Sequence, residues 1–393
     1  MNFKSAARVS QVSPPAIARI LEKQRRLEAN GVQLTSLLRG EPDFDTPTYI
    51  VEAATRALRD GQTHYTPAHG IRALREAVSH RVARDFGFDP DPDEEIIITT
   101  GATLGIFTAL QAVINPGDEV ILFDPVYDPY PSVVRLAGGV PVRAQSAMRD
   151  GHFSVENQTI TALLTERTKA ILINNPWNPT GSVMTATELN ELVELAEQHD
   201  LVLIADEIYE ALTFDGHTHM NLASLSETAR ARTITVNSFS KTYAMTGWRI
   251  GYTVAPPSLT KAMRLIVQQC SRSAATFVQY AGVAALDGPQ EPVQRMVAAY
   301  ARRRALSTES LLAAGLDTFH PPEGTFFVFL DIRSHGKDSQ TVADYLLKQA
   351  RVVTVPGSVY GPGGEGFIRL SFAYDEETLQ SGIDAIVTSL QHL

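Results

Sequence analysis

Short runs of β-branched and apolar residues alternate with longer segments of helical periodicity along most of the chain. IIITT (Ile96 to Thr100) precedes ATLGIFTALQAVI, whose apolar spacing is helical, and EVILFD (Glu119 to Asp124) precedes a helical stretch near Tyr130 to Ala137 and then GVPVRA. The rhythm continues through KAILIN (Lys169 to Asn174), the helical TATELNELVELAEQHD, LVLIAD (Leu201 to Asp206), TITVNS (Thr233 to Ser238) and RIGYTV (Arg249 to Val254). Apolar runs separated by helices predict a mostly parallel sheet buried on both faces, an α/β architecture.

After about residue 285 the texture changes. A long charged helix (about Pro289 to Ala313), the strand TFFVFLD, a helix around Thr341 to Gln349, the strand FIRLSF and a closing helix from Glu376 predict a smaller α+β domain. The expected division is an N-terminal arm over residues 1–45 whose two helical stretches pack on the second domain, a large domain over 46–285 and a small one over 286–393. A chain of 393 residues is long enough for that arrangement. No internal repeat or low-complexity linker interrupts it.

Hydrophobic residues make up 44% and charged residues 20%, and no stretch approaches bilayer-spanning length, so no membrane association is expected. The formal net charge is −10 with no Lys/Arg cluster, which argues against a nucleic-acid partner and for a small-molecule one. MNFKSAARVS lacks an apolar run behind its basic residues, so neither a secretory signal nor a transit peptide is read, and a cytoplasmic location is expected. The single cysteine, Cys270, excludes an internal disulfide and reads as a passive buried thiol.

Chemistry in a doubly wound sheet gathers at the carboxyl ends of strands. Here Asn178 lies in NNPWNPTG after KAILIN, Asp206 ends LVLIAD and leads to Tyr209, Lys241 follows TITVNS, and Thr100 to Thr103 follow IIITT. Taken singly, each has a plain alternative: a helix cap, a solvated lysine, a turn. Together, LRGEPDFDTP, YTPAHGIRALREA, GATLGIF, NNPWNPTG, DEIYE, SFSKTYAMTGWRIGY and FIRLSF resemble the class I/II aminotransferases, a family of fold-type I pyridoxal-phosphate enzymes, almost end to end. The intervals match that family too: 28 residues from Asn178 to Asp206, 3 from Asp206 to Tyr209, 3 from Ser238 to Lys241 and 8 from Lys241 to Arg249.

The resemblance implies pyridoxal 5'-phosphate as cofactor and a role for each matched residue. Lys241 would bond the cofactor aldehyde and then carry a proton to and from the substrate α-carbon, which an arginine, always protonated, cannot do. Asp206 would keep the pyridine nitrogen protonated, Asn178 and Tyr209 would hydrogen-bond the phenolic oxygen, and Tyr127 in DPVYDPY would stack on the ring, unless it is an ordinary core tyrosine. Ala102 and Thr103 begin a helix whose free N–H groups favour an anion; Ser238 and Arg249 would complete the phosphate cup, and Tyr65 would reach in from a second subunit, implying a homodimer with shared sites. Arg369, inside an apolar strand, would take the substrate α-carboxylate, with an interdomain ion pair as its alternative, and Gly40 would let its backbone approach the substrate.

Three other motifs fail their context. GPGGEG (Gly361 to Gly366) leads into a strand rather than from a strand into a helix and reads as a flexible turn; His217 and His219 sit in a polar loop without an HExxH pattern, so no metal is expected; the sequon at Asn157 has no secretory signal to give it meaning.

The expected reaction is transfer of an amino group from an L-amino acid to a 2-oxo acid, with a carbon–sulfur β-lyase as the alternative. A DNA-binding regulator would need a further segment ahead of LRGEPDF, which begins near residue 38. Leu104 stands where many aspartate-preferring members carry a basic residue. Arg39 or Arg272 is therefore a candidate for a distal carboxylate of glutamate or aspartate, the alternative being that both pair with surface acids. Trp177 is a possible sign of an apolar or aromatic acceptor.

Overall fold

The computed structural model describes residues 4–149, 151–316 and 321–393. Seven strands, β1 (Ile96–Thr99), β2 (Glu119–Asp124), β3 (Val140–Gln145), β4 (Thr168–Asn174), β5 (Val202–Asp206), β6 (Thr233–Ser238) and β7 (Gly251–Val254), form one sheet in the order β1-β7-β6-β5-β4-β2-β3. The pairings among β2 to β6 are parallel, and β7 alone runs against its neighbours β1 and β6. All residues of β1, β2, β6 and β7 are buried, so these strands must be apolar on both faces. RIGYTV forms strand only from Gly251, because Arg249 sits in left-handed backbone at φ 54° and ends the preceding turn.

The helices follow from local signals. Helix Ala186–Gln198 starts on a Thr185/Glu188 capping box and buries Leu189, Leu192, Val193, Leu195 and Ala196. Helix Gly101–Val113 leaves the carboxyl end of β1 and packs Ile106, Ala109 and Leu110 into a core with Val120, Leu122, Ile204 and Val236.

A second, antiparallel sheet joins β8 (Phe327–Asp331), β9 (Val355–Pro356) and β10 (Phe367–Ser371) in the order β8-β10-β9. Helices Glu291–Ala313, Ser339–Gln349 and Glu376–Leu390 cover it around Phe326, Phe327, Leu330, Leu346, Ile368, Leu379 and Ile386. Tyr209, Leu212 and Phe214, which follow β5, belong to this second core and tie the two sheets together.

Helix Ala16–Ala29 does not pack on the second unit alone, as expected of it. Ile17, Ile20 and Leu21 press on the core behind β2, β4 and β5, while Lys23 meets Asp344 at 2.5 Å on the other side. Residues Thr35–Ser36 then pair in parallel with Val352–Val353, and the Ser371 N–H donates to the Leu37 carbonyl at 2.8 Å, which carries Leu38 to Glu41 over the strand ends.

Cys270 is exposed, not buried: helix Pro257–Cys270 turns Thr260, Met263 and Val267 inward and ends at the cysteine, beyond that core contact. GPGGEG is a packed element rather than a loose turn, with the Gly363 N–H donating to Asp124 at 3.2 Å and Arg143 Nη1 lying 3.4 Å from the same carboxylate.

Candidate active site

The carboxyl ends of β1, β5 and β6 open on a cavity of about 520 Å³ that continues into a deeper one of about 300 Å³. Leu38, Gly40, Tyr127, Asp206, Ile208 and Lys241 line both.

Lys241 stands on a single helical turn, Phe239–Thr242, capped by the Ser238 hydroxyl, which accepts from the Ser240 N–H at 3.0 Å. Its Nζ donates to the Gly40 carbonyl and lies 5.9 Å and 5.6 Å from the ring centroids of Tyr209 and Phe326. Burial pulls its pKa down to about 8, against the opposing charge of Glu41. Asp206, at the end of β5, is 2% exposed, and burial pushes its carboxyl up to about 6. The Tyr130 hydroxyl donates to Oδ2 and the Ile208 N–H to Oδ1 at 3.3 Å. Tyr130 was not among the predicted site residues: the sequence places it only at the start of a helix, 76 residues from its partner.

Arg369 closes the deep end. It is 1% exposed, Nη1 donates to Asn178 Oδ1 and Nη2 to the Leu38 carbonyl, both at 3.1 Å, and Nε has no partner. Its guanidinium carbon lies 3.9 Å from the Phe327 ring centroid and 5.4 Å from that of Tyr360. No carboxylate pairs with it among the described residues, so the interdomain ion pair is absent. Tyr209 is buried and its phenol is raised well above the usual range, chiefly by burial. Tyr127 meets Tyr130 edge-on with centroids 5.3 Å apart, so it is part of the cavity wall.

At the other end, Ala102 and Thr103 open the helix after β1, and Gly101, at φ 76°, leaves room for Arg249: a Cβ there would fall 2.6 Å from Nη2. Arg249 is exposed and Nη1 donates to the Thr246 carbonyl at 3.0 Å. Ser238 also lines the cavity. Tyr65 does not: it is 86% exposed and lies over Arg272, centroid to guanidinium carbon 5.2 Å, in a separate surface hollow.

At the mouth Arg39 stacks on Tyr374, 4.8 Å from the ring centroid, while its backbone N–H donates to the Tyr374 hydroxyl at 3.1 Å. Neither Arg39 nor Arg272 forms an ion pair among the described residues, contrary to the surface-pair alternative. Leu104 is not among the residues that line the cavity, whereas its neighbour Thr103 is. Trp177 is a core residue, 4% exposed, donating to the Pro125 carbonyl at 2.8 Å and packed on Phe123, so it says nothing about the substrate. His219 lies in a loop, as expected, but its side chain is buried.

A lysine kept close to neutrality beside a buried carboxylate, at the strand ends of such a sheet, belongs to the fold-type I pyridoxal-phosphate enzymes, and solved structures agree. Aspartate aminotransferase from Thermus thermophilus with maleate superposes with a TM-score of 0.93 at 38% identity, over 99% of this chain and 100% of that one. The aromatic aminotransferase from Pyrococcus horikoshii does so with 0.88 at 38% identity, over 96% and 99%. In sequence, an aspartate aminotransferase of Geobacillus stearothermophilus is 39% identical over 98% of both chains. The family model for aminotransferase class I and II matches residues 32–386, and the chain belongs to that family. It is a transaminase that depends on pyridoxal phosphate.

Proposed function

We propose that the chain transfers the amino group of a dicarboxylic L-amino acid, aspartate or glutamate, to a 2-oxo acid, with the deep end of the cavity holding the α-carboxylate and the mouth the distal one. The observation that carries this reading is Arg369, a buried guanidinium whose Nε has no partner. A buried cation is costly without an anion, and a carboxylate offers the planar acceptor pair that fits it.

The residues fit the cofactor. The open turn at Ala102 and Thr103, with Arg249 beside it, meets a phosphate; Ser238 adds its hydroxyl; Tyr127 offers a ring face, and Asn178 and Tyr209 offer polar groups near Lys241. When bound, the cofactor supplies an aldehyde that takes up the amino group and a ring that accepts the electron pair released at the α-carbon.

Asp206, anchored by Tyr130, holds a proton at the ring nitrogen. Lys241, lowered to about 8, would in its neutral form take the proton from the substrate α-carbon onto Nζ and, in the reverse half of the exchange, give it back to that carbon. Gly40 positions that amine through its carbonyl and keeps the wall free of a side chain. Arg39, unpaired and pinned on Tyr374, takes the distal carboxylate. The fully exposed setting of Tyr65 suits a residue that completes the site of a second copy, so the working unit in this reading is a homodimer in the cytoplasm.

The test is to mix the purified protein with a panel of amino acids, without 2-oxo acid, and follow its visible absorption while assaying ammonia and pyruvate. Conversion of the cofactor to its amine form by aspartate or glutamate, without ammonia, is the expected result. Catalytic ammonia release from a β-substituted amino acid, with the original absorption restored, would make the chain a lyase.

A further inference from the structure

The helix Ala16–Ala29 forms one wall of the cavity, and its sequence changes character along that wall. Ile17, Leu21 and Gln24, spaced by four and three residues, share one helix face. Ile17 lines both the deep part and the outer part, whereas Leu21 and Gln24 line the outer part alone, so the face runs outward for about 10 Å. The helix is fixed in place. The Ala16 N–H donates to Asp128 at 2.7 Å beside the deep part, and Lys23, off the cavity wall, pairs with Asp344. A wall that is apolar as far as Leu21 flanks any carbon chain equally well, so discrimination between side chains falls to its outer end.

There Gln24 is joined to Arg39 by hydrogen bonds that all run one way. The Arg39 N–H donates to the Tyr374 hydroxyl at 3.1 Å, that hydroxyl donates to Ser36 Oγ at 3.4 Å, and the Ser36 hydroxyl donates to Gln24 Oε1 at 3.3 Å. Gln24 Nε2 then donates to Glu28 Oε1 at 2.8 Å, one turn further along the helix. Glu28 sets the direction: only the NH2 end of a carboxamide can face a carboxylate, so the Gln24 oxygen is left to accept from Ser36, and each hydroxyl has its proton committed toward the helix. Gln24, Ser36, Tyr374 and Arg39 all line the outer cavity.

Two of these links are long, so the series adds little to stability, and its effect is on placement. The ring it holds by the hydroxyl is the one on which the Arg39 guanidinium stacks, 4.8 Å from the centroid.

We propose that Gln24 is a specificity-determining residue that acts through Ser36 and Tyr374 to hold Arg39 where a distal carboxylate arrives, so that the site favours a dicarboxylic amino acid over an apolar one of the same length. Gln24 is a positioning residue in this scheme, and the proposal rests on the role given to Arg39 above.

Glutamate and norvaline test it, because they have the same number of carbons and differ in ending in a carboxylate or a methyl group. The ratio of their kcat/KM values in the holoenzyme reads discrimination directly. Gln24→Met keeps the length of the side chain and loses both hydrogen bonds, and the glutamate-to-norvaline ratio should fall about threefold. Gln24→Glu still accepts from Ser36 but sets a negative charge against Glu28 and against the distal carboxylate, and the ratio should fall about tenfold or more. A helix that had merely loosened would lower both amino acids alike. On an Arg39→Leu background, Gln24→Met should cost glutamate less than about twofold further, since the group it positions is gone. Equal changes for the two amino acids, no change, or full additivity with Arg39→Leu would overturn the proposal. Arg39→Leu alone separates the two levels: if it leaves glutamate unaffected, the distal-carboxylate reading falls and takes this one with it, whereas a loss there beside an unmoved ratio in the Gln24 variants removes Gln24 only.

Discussion

The two ends of the cavity each present an arginine, and they are built differently. Arg369 is enclosed, held by Asn178 and the Leu38 carbonyl and sandwiched by Phe327 and Tyr360. Arg39 is half-buried at the mouth, steadied by one aromatic face and free of hydrogen-bonded partners on its guanidinium among the described residues. The difference matches what each would recognise. Every amino acid brings an α-carboxylate, which a rigid socket can meet, whereas side chains differ and need a group that can swing.

The largest effect should come from the deep end. Arg369→Lys keeps the charge but loses the planar fork, and kcat/KM should fall by about 100-fold or more for all amino acids alike. A loss confined to dicarboxylic substrates would break the comparison. Next in size, capture of pyridoxal phosphate by the cofactor-free chain should rise about tenfold from pH 7 to pH 9 as Lys241 loses its proton around 8; stopped-flow absorbance measures it, and a flat profile would mean the lysine is not held near neutrality. At the mouth, Arg39→Leu should raise KM for aspartate and glutamate about tenfold while leaving alanine within about twofold. An unchanged KM for every dicarboxylic substrate would remove Arg39 from the site. The smallest effect belongs to Tyr374→Phe, which keeps the stacking face and loses only the hydroxyl that receives the Arg39 N–H, so a change of about two- to threefold is expected in the same assay.

Much of this is legible in the sequence. The apolar strands could be read because both faces of the sheet are covered, and Arg369 stood out because a charged residue inside FIRLSF has to be explained. Lys241, Asp206 and Asn178 sit where strand ends put them. What escaped notice depends on contacts between distant segments. Tyr130 looks like any helix-start tyrosine until β5 is laid beside it, and His219 looks solvated until Phe86, Glu207 and Glu210 close around it. Trp177 and Cys270 misled in opposite directions: residue type suggests burial or a pocket, but the neighbouring backbone decides which way the side chain faces.

The seam between Thr35–Ser36 and Val352–Val353 has a consequence for how the molecule is made. The seven-stranded sheet has all its strands once Val254 has left the ribosome, yet Leu38 must wait for Arg369, 331 residues later. Contacts of such long range form late, after the local ones. A nascent chain therefore passes through a stage that has the helix after β1 and its lysine but not the enclosed Arg369, and the deep end of the cavity is completed only when synthesis is nearly done.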